Sequence, residues 1–244
     1  MLQNIPTILS TDHHARRKYG RPWLWVFLLD AIADLTAIRL GCESMRFVTK
    51  PLLMLLLLGW ISAYPLKDKY GRKLIQLALL FSFGGDTLLL FTGKNEAFFI
   101  GGLISFLIAH IFYILFFVRV KKQNRPGSPW NPVVVFIVAL YIGFFFYLLR
   151  KGAGPLQIPV LIYASVIGTM LLTAIHAFHF PRQWSGALCV TGALLFVISD
   201  STLALDKFYR PFSAASMLIM STYCLAQLLL VAGSRKYLES RNNP

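Results

Sequence analysis

Apolar residues in this chain come in long unbroken runs, separated by short polar gaps rich in Lys and Arg. Eight runs can be drawn: Pro22–Leu40, Pro51–Tyr64, Leu74–Phe91, Phe98–Val118, Pro132–Leu149, Leu156–Phe178, Trp184–Leu205 and Phe212–Gly233. Most approach the ~20 residues that carry a helix across a bilayer. Neither the two-residue alternation of surface strands nor the ~10-residue segments of a membrane barrel is present, so each run predicts a helix. The expected fold is an all-α membrane protein with eight transmembrane helices over 22–233, flanked by polar tails at 1–21 and 234–244. The second run is the shortest and the first carries charge. Residues 1–21 are too polar to form a signal peptide's apolar segment, and no small-residue cleavage site follows them.

Composition agrees with a membrane chain. Of 244 residues, 57% are hydrophobic and 14% charged, against roughly 25% charged in an average soluble domain. That excludes a disordered chain and argues against a soluble globular one. Cys42, Cys189 and Cys224 are widely spaced and form no CxxC, so neither a disulfide framework nor a zinc site is indicated. A net charge of +14 would suit nucleic acid if it formed a stripe, but the 24 Lys and Arg fall almost wholly in the gaps between apolar runs. There they act as topology markers and headgroup anchors, and no nucleic-acid partner is expected. One alternate set of gaps holds 16 of these residues and the other 8. The positive-inside rule then puts both tails in the cytoplasm. The membrane would be a bacterial inner membrane or the endoplasmic reticulum.

Leu80–Asp86 (LFSFGGD) and Leu194–Asp200 (LLFVISD) form a faint repeat near the ends of the third and seventh runs. Both runs point the same way, so the repeat implies a parallel four-plus-four duplication, set against chance likeness of two apolar helices.

An ionised carboxylate in hydrocarbon costs at least ~2.5 kcal/mol on insertion scales. Of only ten acids, four fall inside apolar runs: Asp30, Asp34, Asp86 and Asp200. Asp86 and Asp200 have matching depth and can share one layer of a helical bundle. Two carboxylates in one apolar cavity would divide a proton, one holding it while the other ionises, which suits acid–base chemistry without a metal or cofactor. The plainer reading is two unrelated acids bonded to Ser or backbone. Asp30 and Asp34 share one helix face, as an internal hydrogen-bonded pair or a substrate-entry surface. His110 and Tyr113 in the fourth run, Lys50 before the second, and Tyr223 and Gln227 in the eighth are candidates for binding substrate or supporting the acids. Lys50 equally suits a snorkelling anchor. His176 and His179 form an isolated HxxH, a weak metal signal at the wrong depth for Asp86 and Asp200. No P-loop, Rossmann fingerprint, GxSxG elbow or HExxH occurs.

Four stretches carry a family resemblance: Arg46–Met54 (RFVTKPLLM), Gly84–Phe91 (GGDTLLLF), Gly102–Tyr113 (GLISFLIAHIFY) and Phe196–Leu205 (FVISDSTLAL). Their order and content resemble the YhhN-like family of multi-pass lysoplasmalogenases, over most of the chain from Arg46 to Gln227. Asp30 and Asp34 lie outside the resemblance. It implies an eight-span hydrolase that cleaves the vinyl-ether bond of a lysophospholipid substrate, giving a fatty aldehyde and glycerophospho-ethanolamine or glycerophospho-choline. It also implies that Asp86 and Asp200 are the essential acids, with Lys50, His110 and Tyr113 as further recurring polar positions. The competing readings are a proton-coupled transporter of a small molecule or lipid, a metal-dependent amidase using His110, His176 and His179, and a non-catalytic lipid-binding or assembly protein.

Overall fold

A computed structural model describes residues 7–178 and 183–242, with side chains from residue 22 onward. The elements are α1 (Thr7–Leu40), α2 (Glu43–Ser62), α3 (Lys69–Leu89), α4 (Glu96–Asn124), α5 (Pro132–Ala153), a 3-10 turn (Gly154–Leu156), α6 (Gln157–Ala177), α7 (Trp184–Phe208) and α8 (Ala215–Ser240). There is no strand among the described residues. Three helices start on side-chain caps that replace missing backbone acceptors. Asp68 accepts from the Gly71 N–H at 2.9 Å, Asn95 from Ala97 at 2.9 Å and Asn131 from Val133 at 3.0 Å, the last with Pro132 at the first helical position.

Several helices outrun their apolar cores. The chain is already helical at Thr7, α4 continues to Asn124 and α8 to Ser240, because Lys, Arg and Gln end a membrane span without ending a helix. The largest departure is α2. The apolar run opens at Pro51, which places the expected start of the helix there. In the structure Pro51 is interior and α2 begins at Glu43. Burial of Leu53, Met54, Leu57, Trp60 and Ile61 outweighs the one backbone bond that proline removes. Arg46, Thr49 and Lys50 are thereby fixed on a helix.

Five helical stretches among the described residues are long and apolar enough to cross a membrane: Glu43–Ser62, Glu96–Asn124, Pro132–Ala177, Trp184–Phe208 and Ala215–Ser240. The third contains both α5 and α6, which fold back on each other so that Gly168 meets Ile142 and Val138. α1 and α3 carry more charge and fall outside this set. Trp25 and Leu29 on α1, Phe136 and Phe144 on α5, and Ile158 on α6 are exposed, as side chains solvated by lipid are. These features fit a multi-pass membrane protein.

Inside, α3 packs on α4, α7 on α8, α4 on α6, and α2 on α1 and α3. The α7–α8 contact depends on glycine. A Cβ on Gly233 would stand 2.6 Å from Cys189 Sγ, and one on Gly192 would stand 2.9 Å from the Ala226 carbonyl oxygen. Close approach through small residues is how helices associate where lipid removes the hydrophobic drive.

Candidate active site

Two buried polar networks lie in the half of the bundle where α1 and α3 end and α2 begins. In the first, Asp86 near the end of α3 is 1% exposed. Its Oδ2 accepts from the Tyr223 hydroxyl of α8 at 2.6 Å, and its Oδ1 is 3.7 Å from Lys50 Nζ of α2. Gln227, one turn beyond Tyr223, extends the network. Its Nε2 donates to Ser82 Oγ at 3.0 Å, and its Oε1 accepts from the Tyr113 hydroxyl of α4 at 2.7 Å. Four helices thus meet on one set of side chains, each of which would be costly to leave unpaired in an apolar core.

The second network centres on Asp200 of α7, whose side chain is 11% exposed. Its Oδ2 accepts a short hydrogen bond from the Tyr163 hydroxyl of α6. His110 Nε2 of α4 is 4.0 Å from the same oxygen. His110 Nδ1 lies 2.6 Å from the Phe106 carbonyl oxygen. A carbonyl only accepts, so Nδ1 carries the hydrogen, and Nε2, which has no hydrogen-bond partner among the described residues, faces Asp200.

The carboxylates of Asp86 and Asp200 are not hydrogen-bonded to one another. Aromatic rings lie between their partners: Phe196 packs edge-on at 5.5 Å from Tyr223 and 4.6 Å from His110, and Phe106 sits 5.8 Å from Tyr223. Phe106 is itself seated by Gly85, where a Cβ would come within 2.6 Å of the ring. The two acids also differ in access. Asp200 and Tyr163 line a narrow groove whose other walls are almost wholly apolar, among them Phe99, Leu103 and Phe145. A second apolar groove shares Leu103, Val160 and Tyr163 with it. An apolar cleft with a few convergent polar groups at its wall is the usual form of a small-molecule site.

Residues 45–234 match the model of the YhhN family. This chain belongs to the YhhN family. Among its relatives, human lysoplasmalogenase TMEM86A is 31% identical over 177 residues, covering 71% of this chain and 68% of that protein. Mouse lysoplasmalogenase TMEM86B is 28% identical over 93% of this chain and 91% of its own length. A lysoplasmalogenase of Mycobacterium tuberculosis is 30% identical over 66% of this chain and 60% of its own length. No solved structure matches.

In this YhhN protein, five of the expected residues, Lys50, Asp86, Tyr113, Tyr223 and Gln227, fall in the first network, and His110 and Asp200 fall in the second. His176 is placed elsewhere: its Nδ1 bonds the Leu172 carbonyl at 2.8 Å and its Nε2 accepts from the Asn131 N–H at 2.8 Å. Both ring nitrogens are thus used, one within α6 and the other at the start of α5. His179 lies outside the described residues. Among the described residues no three His, Cys, Asp or Glu gather as a metal site would require. Sequence reasoning missed Tyr163 and Ser82, which carry no signal beyond being polar in an apolar helix.

Proposed function

We propose that this YhhN protein hydrolyses the vinyl-ether bond of lysoplasmalogens inside the membrane. The products are a fatty aldehyde and glycerophospho-ethanolamine or glycerophospho-choline, and Asp86 and Asp200 are the working acids. The observation that carries this reading is Asp200: a carboxyl group bonded by Tyr163 and faced by His110, at the wall of an otherwise apolar groove. The names of the relatives give the substrate class.

Vinyl-ether hydrolysis begins with proton transfer to the alkene carbon farther from oxygen, which leaves an oxocarbenium ion. Water adds to the adjacent carbon, and the hemiacetal collapses to aldehyde and alcohol. Asp200, with the alkenyl chain in the groove beside it, delivers the first proton, and Tyr163 stabilises the carboxylate that results. A bare imidazole nitrogen opposite a carboxylate oxygen is favourable only with one proton between them. His110 Nε2 therefore takes the proton released as water adds and returns it to Asp200, so the pair ends as it began. Asp86, held by Tyr223 and facing Lys50, sets negative charge on the other side of the ring cluster, where it stabilises the cation through a medium of low dielectric. Glycosidase carboxylates meet the same oxocarbenium problem in water-filled clefts.

We also read all eight helices as crossing the membrane, in two parallel halves of four. In support, each acid sits on the third helix of a half. Each is approached by the second helix of its own half (Lys50, Tyr163) and by the fourth helix of the other (Tyr223, His110).

The test is aldehyde release by purified protein from a lysoplasmenyl lipid, with a saturated lyso-lipid as control. Turnover of the first alone is expected, falling by about 10²–10⁴ in Asp86→Asn and Asp200→Asn. Normal turnover in either variant removes that residue. Lipid uptake into sealed vesicles without aldehyde would instead indicate transport.

A further inference from the structure

The chemistry above leaves one buried charged cluster unused. Asp30 and Asp34 lie one turn apart on the buried stripe of α1, together with Phe27, Ala31 and Ala37. Across from them on α2 are Arg46, Thr49 and Lys50. Thr49 donates to Asp34 Oδ1 at 2.7 Å, and Arg46 Nε stands 3.8 Å from the same oxygen. The other carboxylate oxygens, Asp30 Oδ2 and Asp34 Oδ2, have no hydrogen-bond partner among the described residues, although the two side chains are only 9% and 0% exposed. Arg46 Nε has none either. Lys50 Nζ is 3.7 Å from Asp86 Oδ1, too long for a hydrogen bond.

A cluster built only to hold α1 on α2 would close its charges to about 2.7–2.9 Å. Its buried acids lie on α1 and its bases on α2, where the one acid near Arg46 is the exposed Glu43 at 4.0 Å, and both sides keep spare bonding capacity. That layout is complementary to a zwitterion whose cation and anion are a few ångströms apart.

We propose that the α1–α2 cluster binds the headgroup of the lysophospholipid, with the phosphodiester between Arg46 and Lys50 and the ammonium on the free oxygens of Asp30 and Asp34. The proposal rests on the substrate reading above and deepens it. Lys50 then links the two sites, because the ammonium that meets the phosphate also faces Asp86. A lipid without an amine leaves two buried carboxylates unmatched, and a site built around a polar partner rejects an analogue lacking it far more strongly than an apolar pocket rejects a missing methylene. Asp30 and Asp34 precede the family-matched residues 45–234, so the ammonium half of the site is contributed by α1 from outside that region.

The experiment is a binding titration of the full chain with two saturated lyso-lipids of equal chain length, lysophosphatidylethanolamine and lysophosphatidylglycerol. Wild type is expected to prefer the ethanolamine lipid at least tenfold; equal affinities overturn the proposal whatever the variants do. Asp30→Asn and Asp34→Asn are expected to cut the preference severalfold, with Asp34→Glu restoring part of it. Arg46→Gln weakens both lipids together. If the aspartate variants weaken both lipids equally, leaving the ratio at its wild-type value, the acids are structural and the proposal fails. Neither lipid is cleaved in this assay, so the two readings separate. Ethanolamine preference without aldehyde release from an alkenyl lipid keeps the headgroup site and removes the hydrolase, and aldehyde release without preference does the reverse.

Discussion

The two ends of the helix bundle treat buried charge differently. Where α3 begins and α4 and α8 end, ions are closed tightly: Asp68 takes two hydrogen bonds from Arg119 at 3.1 and 3.2 Å, and Glu239 meets Arg235 at 3.0 Å. Tyr237 bonds Gln123 and Asn124, and Asn242 ties Lys67 to the Pro65 carbonyl. At the other end the pairs are more buried and yet wider. Arg46–Asp34, Lys50–Asp86 and His110–Asp200 stand at 3.8, 3.7 and 4.0 Å. Among the described residues, buried arginine Nε atoms lack partners at both ends, but buried carboxylate oxygens lack them only at the Asp86 end. A tightly closed pair stabilises the fold. A pair held open in low dielectric costs stability and keeps bonding capacity for something else. The Asp68 end reads as architecture and the Asp86 end as chemistry.

The sharpest way to break that contrast is Asp200→Asn, which removes the acid at the groove. Its expected loss of about 10²–10⁴ in kcat should come with a melting temperature close to wild type, because a neutral amide replaces a carboxyl group that already shares one proton with His110. An inactive but destabilised variant would move Asp200 to the architectural class. Coupling with His110 sharpens the point. If the two share one proton, His110→Ala and Asp200→Asn combined lose no more kcat than the worse single change, whereas independent roles would multiply the losses. Tyr163→Phe is a smaller change. It removes one hydrogen bond to a charged group, about 1.5–3 kcal/mol, so kcat should fall roughly ten- to hundredfold with KM little altered. A KM effect alone would make Tyr163 only a wall of the groove.

Much of the Asp86 end was legible in the sequence for a simple reason: polar residues in apolar helices are few, so Lys50, Asp86, His110, Asp200, Tyr223 and Gln227 stand out against their surroundings. Spacing along a helix gives an expected depth, which put Asp86 and Asp200 in one layer. Position across the bundle was not legible. Residue spacing gives the axial coordinate of a side chain but not its lateral one, and the Phe106 and Phe196 rings between the two networks belong to the lateral coordinate. Tyr163 was missed for the same cause. One tyrosine among ten is unremarkable until α6 is known to face α7 at Asp200. The start of α2 was placed at Pro51 because the apolar run opens there, whereas the helix already runs through the polar residues before it.

The smallest expected effect lies at the other end and guards the contrast from that side. Arg119→Ala opens the doubly hydrogen-bonded ion pair of the Asp68 end, whose arginine side chain is 37% exposed and so well screened. Such pairs contribute about 0–1 kcal/mol, so denaturation should show a loss within that range. Asp68 keeps its other role, accepting from the Gly71 N–H as the cap of α3, so helix content is expected to hold. Aldehyde release should stay within twofold of wild type, since nothing at this end touches either polar network. A hundredfold loss of kcat with a small loss of stability would mean that the two ends are coupled through α3 and α4, and dividing the molecule into architecture and chemistry would then be wrong.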